Sequence, residues 1–522
     1  MTIAKLALDQ AGRVVVIDDQ TGTLSGAPHI AAQAYDSTYQ ALWVDTGAVN
    51  ATADHYNNGL RFTTVGALRI YDATAGLPAT TNTHLGMAMT TDGQVCVTSG
   101  ASTSPYVLNG VAMTNDGRVY VDILSFALEF ADLGAGVVST VEAIGGATPT
   151  FTRATAATTV LSTGLIGAVA SGDPRSYYDP TTLDYLGYLA EGARTNLCLQ
   201  SEDFSTTWTD GGANLVTVDV DATTSPDGTS NADRLTASAG GSSSRIQTIA
   251  VANAVHSFSV WFKGDTATGV DFGIFQGAAF VAITATKLHG SGSIAITSDV
   301  ARVTGLSTSS WTRFQIVTNA ALSAANASIF IYPGGIPNNT GAVFAWGAQL
   351  EAASFASSYI PTTTLAVARN ADVLTYSFAA GSTGTFLVQA VTAVANATDE
   401  VFISSDDGTA NERIFLSRSA AGNAQLSVID GGVAQAALSA GALANSTSFK
   451  FAATYAVNDF ADCFNGGTVA TDTSGTIPTM TTLRVGVNVA STVQPYSPIR
   501  RVEYYANRMP NAVLQALTNG SR

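Results

Sequence analysis

The chain of 522 residues leaves room for three or four domains of about 100–200 residues each. Hydrophobic residues make up 46%, which excludes a disordered chain, whereas charged residues make up only 12%, about half of the share of about 25% in ordinary globular proteins. The net charge is −16 and the sequence holds no run of Lys and Arg, so a nucleic-acid partner is not expected.

No stretch approaches the roughly 20 consecutive apolar residues of a membrane span, and residues 1–19 lack the basic start and apolar core of a signal peptide. We therefore expect synthesis in a reducing cytosol and no membrane insertion. The three cysteines, Cys96, Cys198 and Cys463, lie far apart. Their spacing favours buried thiols over a disulfide framework or a metal site.

Residues 1–125 repeat a strand–turn–strand phrase around Gly12, Gly66, Gly93 and Gly117, with spacings of 54, 27 and 24 residues. Because 54 is twice 27, a further, degenerate copy of the repeat is expected within residues 35–44. Isolated hairpins are marginal in water, and these are poor in large hydrophobic residues. The repeats therefore predict a shaft or docking region that buries its surface against copies of itself, as a homotrimer. The alternative is a compact monomeric β-domain.

After a connector at residues 126–195, strands of five to eight residues alternate apolar and polar positions between turn residues. This texture predicts an antiparallel jelly roll at 196–375 and a second sandwich at 376–522. The clearest predicted strands are 256–263, 311–317, 327–332, 342–351, 384–391, 400–404, 413–417, 424–429, 449–455, 483–487 and 499–505. A short helix at 510–517, framed by Pro510 and Gly520, is expected to pack across one sheet. The predicted fold class is all-β.

Several motifs resemble known modules. Phe151-Thr-Arg-Ala-Thr-Ala156, Pro174-Arg175 and Gly187-Tyr-Leu-Ala-Glu-Gly-Ala-Arg-Thr-Asn-Leu197 resemble the connector of tailed-bacteriophage structural proteins. Ser201-Glu-Asp-Phe204, Phe258-Ser-Val-Trp-Phe-Lys263, Gly347-Ala-Gln-Leu-Glu351, Ser358-Tyr-Ile-Pro-Thr362 and Arg369-Asn-Ala-Asp372 are similar to a carbohydrate-binding-like jelly roll. Asn465-Gly-Gly467 and Arg500-Arg-Val-Glu-Tyr-Tyr505 resemble a concanavalin A-like, laminin-G-type sandwich.

The resemblance implies a virion protein of the tail-fibre or head-fibre type. Residues 1–125 would then attach to other virion proteins, and the sandwiches would contact host-surface polysaccharide. One alternative is a capsid fibre or decoration protein with a purely structural role. A second is a polysaccharide depolymerase. The charge of −16 favours a neutral or cation-bridged glycan over a highly anionic one.

A search for catalytic motifs indicates a protein that is not an enzyme. The five histidines form no HExxH pair, and neither a G-x-S-x-G elbow nor a phosphate-binding loop is present. The acidic pairs Glu202-Asp203 and Asp406-Asp407 are expected as solvated turn residues, because a glycosidase needs two carboxyl groups facing each other across a cleft.

Aromatic and amide side chains are the candidate glycan contacts, since sugar rings stack on aromatic faces. The candidates are Trp208, Trp311, Tyr332, Asn458, Asp459 and Asn465. Core packing competes with this role for the two tryptophans, and turn chemistry competes for the loop residues. Trp261 and Trp346 lie within apolar strands and are predicted to be core residues.

No cofactor is expected, apart from the structural calcium that is common in sandwiches resembling this jelly roll. Its candidate ligands are Glu202, Asp203, Asp227 and Glu351, which offer the hard oxygen atoms that Ca²⁺ prefers. The competing interpretation, that these carboxylates only form hydrogen bonds at strand ends, is favoured.

Overall fold

A computed structural model describes residues 124–140, 148–212, 215–238, 243–336, 340–392 and 399–519, together with ten strands of the preceding region. The chain divides into two units, Met1–Val121 and Asp122–Arg522. Among the described residues, no helix is long and apolar enough to cross a membrane.

The first unit consists of short antiparallel hairpins. Its strands are β1 (Lys5–Leu8), β2 (Val14–Ile17), β3 (Ala34–Asp36), β4 (Ala41–Trp43), β5 (Leu60–Phe62), β6 (Leu68–Ile70), β7 (Gly86–Met89), β8 (Val95–Thr98), β9 (Asn109–Met113) and β10 (Val119–Val121). Three separate hairpins are formed by β1 with β2, β3 with β4 and β5 with β6, and β7–β10 form one four-stranded sheet. All five predicted strand pairs are confirmed, including the degenerate copy of the repeat, which is formed by β3 and β4.

The second unit begins with nine short strands. They are β11 (Leu124–Glu129), β12 (Asp132–Gly134), β13 (Val137–Val138), β14 (Pro149–Thr152), β15 (Ala157–Val160), β16 (Ile166–Val169), β17 (Ser176–Tyr178), β18 (Tyr185–Ala190) and β19 (Arg194–Asn196). Only two local pairs occur among the first six of them, β12 with β13 and β15 with β16. Most of the other strands therefore find their partners far along the chain.

The jelly roll follows. Its strands are β20 (Thr209–Gly211), β21 (Val216–Thr223), β22 (Ala232–Ala237), β23 (Ser244–Ala250), β24 (Ser257–Gly264), β25 (Gly269–Gln276), β26 (Ala279–Phe280), β27 (Ile283–His289), β28 (Ser293–Thr297), β29 (Val300–Thr304), β30 (Thr312–Thr318), β31 (Asn326–Pro333) and β32 (Gly341–Glu351). One sheet has the order β20-β23-β31-β25-β29-β28 with β26 on β25, and the other has the order β21-β22-β32-β24-β30-β27. Phe258, Phe272 and Phe314 lie in the core between the two sheets.

The last part of the chain forms a second sandwich. After β33 (Val367–Arg369), which pairs with β19, the strands and helix of this sandwich are β34 (Val373–Ser377), β35 (Gly384–Val391), β36 (Glu400–Asp406), β37 (Arg413–Arg418), β38 (Asn423–Asp430), β39 (Val433–Ala442), β40 (Ser448–Ala456), β41 (Asp459–Phe464), β42 (Ala470–Asp472), β43 (Thr482–Val485), β44 (Ser497–Tyr505) and α1 (Asn511–Thr518). One sheet has the order β17-β18-β44-β35-β40-β41-β42 with β11 on β44, and the other has the order β14-β34-β43-β36-β37-β38-β39. The all-β prediction, with two antiparallel sandwiches, is confirmed.

The segment predicted as a connector, residues 126–195, is part of this second sandwich. The strands β11 and β18 pair with β44, and β14 pairs with β34. Phe126, Phe130 and Tyr188 are buried in the same core as Phe386 and Phe451. The alternation of polar and apolar residues in these strands is short and broken, because each of them completes a sheet whose other strands come from the end of the chain.

The predicted C-terminal helix is confirmed as α1, with Pro510 at its N-cap. Met509, Val513 and Leu514 are buried with Cys463 against one side of the eight-stranded sheet. The predicted terminator, Gly520, lies outside the described residues. Cys198 and Cys463 are buried free thiols, as expected, and the side chain of Cys96 lies outside the described part of the chain.

A buried ionic cluster joins the two sandwiches. It consists of Arg153, Arg175, Glu191, Arg369 and Asp372. Arg153 Nη1 lies 2.8 Å from Asp372 Oδ1, and Arg175 contacts Asp372 Oδ2. Glu191 Oε2 lies 2.8 Å from Arg175 Nη1 and 2.6 Å from Arg369 Nη1. The backbone N–H of Asp372 also donates a hydrogen bond to the backbone carbonyl of Glu191, with an N–O distance of 2.9 Å. Arg153, Arg175 and Glu191 belong to the motifs that resemble the phage connector, and Arg369 and Asp372 belong to a motif that resembles the jelly roll. These motifs therefore have a structural role here.

The cluster holds Glu191 in its ionised form. Although burial raises its pKa, the charges of Arg369 and Arg175 outweigh that effect and lower the pKa to about 2. A depressed carboxyl pKa stabilises the fold above the ordinary value of 4.5 and loses that contribution as the pH falls toward the folded-state value. The junction between the sandwiches is therefore expected to weaken in acid.

Replacing Arg175 by Met is expected to lower the free energy of unfolding by about 3–5 kcal/mol, because it leaves Asp372 and Glu191 buried with fewer counter-charges. The matched control is Arg234→Met. Arg234 forms ion pairs with Asp265 and Asp219, and its side chain is 30% exposed, so the loss should stay below about 1 kcal/mol. Urea denaturation measures both values, and equal losses for the two variants would contradict a central role for the cluster.

Asp462 is expected to make the second sandwich more stable at lower pH. Burial raises the pKa of this fully buried carboxyl to about 7, and the backbone of Leu426 lowers it only in part. A raised carboxyl pKa destabilises the fold at high pH, and stability should rise as the pH falls from about 7 toward the ordinary value of 3.8. Asp462→Asn should therefore gain about 2 kcal/mol at pH 8 and lose that advantage near pH 4. Denaturation at both pH values tests this, and a gain independent of pH would refute it.

Candidate functional site

The structure places the predicted tryptophans in different surroundings. Trp208 is only 3% exposed and packs against Phe204, with ring centroids 4.9 Å apart. It is a core residue and is not placed to stack on a ligand. Trp311 is half-buried, its indole N–H donates to Thr224 O at 2.9 Å, and Lys263 Nζ lies 5.1 Å from its ring centroid. The indole N–H of Trp311 is therefore already hydrogen-bonded, and its ring is already in contact with a lysine.

Trp261 and Trp346 are fully buried, as predicted for core residues. Their rings meet edge to face with centroids 5.2 Å apart. They lie in a small cluster with Tyr359 that is distinct from the core between the sheets. One outer face of the jelly roll, that of the β21–β27 sheet, is thus covered by other parts of the unit.

The loop candidates lie on the second sandwich and serve its turns. Asn458 has φ +57°, and its Oδ1 accepts from Gly475 N at 3.0 Å. Asp459 forms an ion pair of 2.6 Å with Arg508. Asn465 has φ +46°, and its Oδ1 accepts from Lys450 N at 2.8 Å. Turn chemistry accounts for these three side chains, and they do not join the jelly-roll candidates in one site.

The four predicted calcium ligands are held by hydrogen bonds. Glu202 accepts from Tyr359 Oη and from Asn231 Nδ2, both at 2.9 Å, and Asn231 also reaches Asp227 Oδ2 at 3.5 Å. Burial together with the nearby charge of Asp227 raises the pKa of Glu202. Only these two of the four candidates therefore approach each other.

The other two carboxylates have local partners. Asp203 Oδ1 accepts from the backbone N–H of Ser205 at 2.8 Å, and Glu351 Oε1 accepts from Ser357 Oγ at 2.6 Å. Within the described ranges, no group of three or more His, Cys, Asp or Glu side chains is arranged around a common metal position. Structural calcium stays a prediction.

Tyr332 belongs to a row of aromatic rings on the other outer face of the jelly roll. We call this row the aromatic face: Phe275 on β25, Phe280 on β26, and Phe330 with Tyr332 on β31. Consecutive ring centroids are 5.6, 5.2 and 5.1 Å apart. Ile329 and Ile331, which alternate with them on β31, point into the core. The rings therefore stand on the side of the sheet that faces away from the core.

A glycine lets Phe330 lie flat across the sheet. Gly273 is paired with Phe330 on the neighbouring strand, and a Cβ atom at Gly273 would lie 2.5 Å from the Phe330 Cζ atom. The turn at Gly277, with φ +69°, brings Phe280 back over Phe275. Phe330 is consequently 2% exposed, Phe280 is 37% exposed, and Phe275 and Tyr332 are half-buried.

Polar groups border the aromatic face at both ends. At one end Arg302 binds Asp271 in a bidentate pair, with Nε at 2.8 Å from Oδ1 and Nη2 at 2.6 Å from Oδ2. At the other end the hydroxyls of Thr248 and Ser328 lie 2.8 Å apart and are accessible. An apolar strip between charged and hydroxyl groups suits a ligand with an apolar face and polar edges, which is the chemistry of a sugar ring.

The sequence identified only Tyr332 of this face. In the run 329–332 both the inward and the outward positions are hydrophobic, so alternation could not separate core from surface. A sequence signal for the aromatic face does exist. Aromatic residues occupy every second position, at Phe330 and Tyr332, and a glycine, Gly273, lies opposite on the paired strand.

No protein-family profile matches the chain, and no curated protein matches it. Among solved structures, the Ruminococcus gnavus IT-sialidase CBM40 is similar at 18% identity and TM-score 0.24, over 26% of this chain and 83% of that chain. The same module bound to α2,3-sialyllactose gives 17% identity and TM-score 0.24, over 27% and 84%. A Trypanosoma rangeli sialidase in complex with the inhibitor DANA gives 12% identity and TM-score 0.22, over 26% of this chain and 22% of that chain.

Proposed function

We propose that this protein is a virion component of a tailed bacteriophage, a fibre or related appendage that contacts host-surface glycan. Binding rather than catalysis is its task. The aromatic face is the glycan-contact surface, and the hairpin unit anchors the chain to other virion proteins. The observation that carries the proposal is the row of four rings, two of them half-buried and one 37% exposed, between polar groups.

The placement of the rings supports a binding role. Phe330 is covered by its neighbours, whereas Phe275, Phe280 and Tyr332 keep accessible surface on the outer side of the sheet and are available for stacking. Among the described residues, no hydrogen bond occupies the Tyr332 hydroxyl, so it is free to bond a sugar hydroxyl. Arg302 is 39% exposed although it is paired with Asp271. These groups match the apolar faces and hydroxyl edges of a neutral glycan.

The hairpin unit supports assembly into a multivalent particle component. Its ten strands are three to five residues long, and isolated short hairpins need neighbours to bury their surface. Three chains that share this region would present three weak glycan sites together. Avidity can then exceed the affinity of one site by roughly 10²–10⁴.

Tyr332→Ala and Phe280→Ala are each expected to weaken glycan binding about tenfold, because each removes a ring from the stacking surface. The test is binding of the full-length chain to purified bacterial lipopolysaccharides and capsular polysaccharides in an array. The matched control is Tyr178→Ala on the second sandwich. Tyr178 is also a half-buried tyrosine that packs against another aromatic ring, with centroids 5.2 Å apart.

Two outcomes would count against a glycan-binding role. If the parent chain binds none of the polysaccharides, the purely structural role of a capsid fibre or decoration protein is favoured. If all three variants bind equally well, the glycan contact lies elsewhere on the chain. Release of reducing ends from a bound polysaccharide would instead indicate a depolymerase.

The full-length chain is expected to sediment as a trimer, because residues 1–125 bury their surface against copies of themselves. Sedimentation velocity measures the assembly state. Deleting residues 1–121, the first unit, should leave a monomer. A stable monomeric parent chain whose hairpin unit resists protease would contradict a shared shaft.

A further inference from the structure

A cavity of about 330 Å³ lies within the second unit, between the jelly roll and the second sandwich. We call it the junction cavity. Trp261, His289 and Arg313 of the jelly roll line one side of it, and Tyr177 on β17 and Asp179 directly after β17 line it from the second sandwich. Its volume is at the lower limit of small-molecule pockets, about 300–1,000 Å³, so it fits one sugar ring.

Arg313 brings a buried positive charge to this cavity. It is 7% exposed, and its guanidinium carbon lies 4.2 Å from the Trp261 ring centroid. Nη1 donates to Ser357 O at 2.9 Å and Nη2 donates to Ser259 Oγ at 3.0 Å. Within the described residues, Nε has no hydrogen-bond partner, and no ion pair to a carboxylate forms within 4.0 Å. The charges of Glu351 and Glu191 act on Arg313 from beyond 4.0 Å, so a bound anion would supply the direct ion pair that this buried cation lacks among the described residues.

Two neutral donors stand beside Arg313. His289 is paired with Arg313 across two strands. Burial and the charge of Arg313 lower the pKa of His289 to about 4, so the imidazole is neutral at neutral pH. Burial, with the charge of Glu191, raises the pKa of Tyr177 to about 12, which keeps its hydroxyl protonated. In the described part of the chain neither side chain has a hydrogen-bond partner, so both are free to donate to an anion.

The acidic residues of the cavity do not neutralise Arg313. Glu191 is committed to Arg175, Arg369 and Ser358. Asp179 Oδ1 accepts the backbone N–H groups of Thr181 and Thr182 at 2.7 and 2.8 Å. Its second oxygen can accept a ligand hydroxyl. The rim residues Thr181 and Ser446 are exposed, which leaves an entrance.

We propose that the junction cavity binds one acidic sugar residue, with its carboxylate on Arg313, Tyr177 and His289 and its hydroxyl groups toward Asp179. The donor set selects an anion, since a cation and two neutral donors converge on one region. Asp179, whose second oxygen can accept a hydroxyl, selects a polyol over a bare inorganic anion. The net charge of −16 is that of the whole chain, whereas the carboxylate of the sugar would meet the Arg313 guanidinium, with Asp179 on the side of the sugar's hydroxyl groups. This site is separate from the aromatic face.

Isothermal titration calorimetry of the full-length chain with D-glucuronate and D-glucose tests the proposal. Glucuronate should bind at least about tenfold more tightly than glucose, because the two sugars differ in the carboxylate. Tyr177→Phe should weaken glucuronate binding about tenfold and leave glucose unaffected. Arg313→Gln should abolish the preference for glucuronate. Since Arg313 is buried and its variant can misfold, Tyr177→Phe and His289→Phe serve as the independent tests.

The matched control is Tyr178→Phe. The Tyr178 hydroxyl donates to Asp132 Oδ2, and Tyr178 does not line the cavity. This variant should bind glucuronate as tightly as the parent chain does. Equal binding of the two sugars, no heat with about 10 mM glucuronate, or full binding by both Tyr177→Phe and His289→Phe would each overturn the proposal. Tyr332→Ala should retain glucuronate binding. Loss of polysaccharide binding at the aromatic face and loss of glucuronate binding in the junction cavity are therefore measured by separate variants.

Discussion

The buried ionic cluster is the constraint on which the rest of the second unit depends. Arg153, Arg175 and Glu191 come from one end of the unit, and Arg369 and Asp372 come from the link between the sandwiches. Charges inside a protein are tolerated only when they are paired and hydrogen-bonded. These five groups therefore have to meet at one place, and their meeting fixes the second sandwich against the jelly roll. The cavity beside Arg313 is a product of the same junction.

The two outer faces of the jelly roll have different surroundings for this reason. The face of the β21–β27 sheet carries Trp261 and Trp346, which are buried beneath Tyr359 and neighbouring segments. The outer side of the β20–β28 sheet carries the aromatic face, where Phe280 is 37% exposed. Aromatic residues on both outer faces look alike in the sequence, yet only one set remains accessible. Packing between sandwiches decides which rings are structural and which can meet a ligand.

The sequence predicted the local elements well because alternation and turn residues are local signals. The hairpins at Gly93 and Gly117, the strands 327–332 and 384–391, and the final helix are all present. It did not predict that residues 126–195 complete the second sandwich, since β11 pairs with β44 across most of the chain. It left Trp208 open between a glycan contact and core packing, and the structure surrounds that ring with Phe204 and the core. Contacts between distant segments leave no periodic pattern.

The pairing of β11 and β18 with β44 has a consequence for how the protein is made. Strand β44 lies between these strands on one side and β35 on the other. A nascent chain that ends before Ser497 therefore lacks the strand that joins both parts of the eight-stranded sheet. The jelly roll has all its strands by Glu351 and can fold while translation continues. Strands β11 and β18 must wait until β44 has been synthesised, and they need protection from mispairing in the meantime.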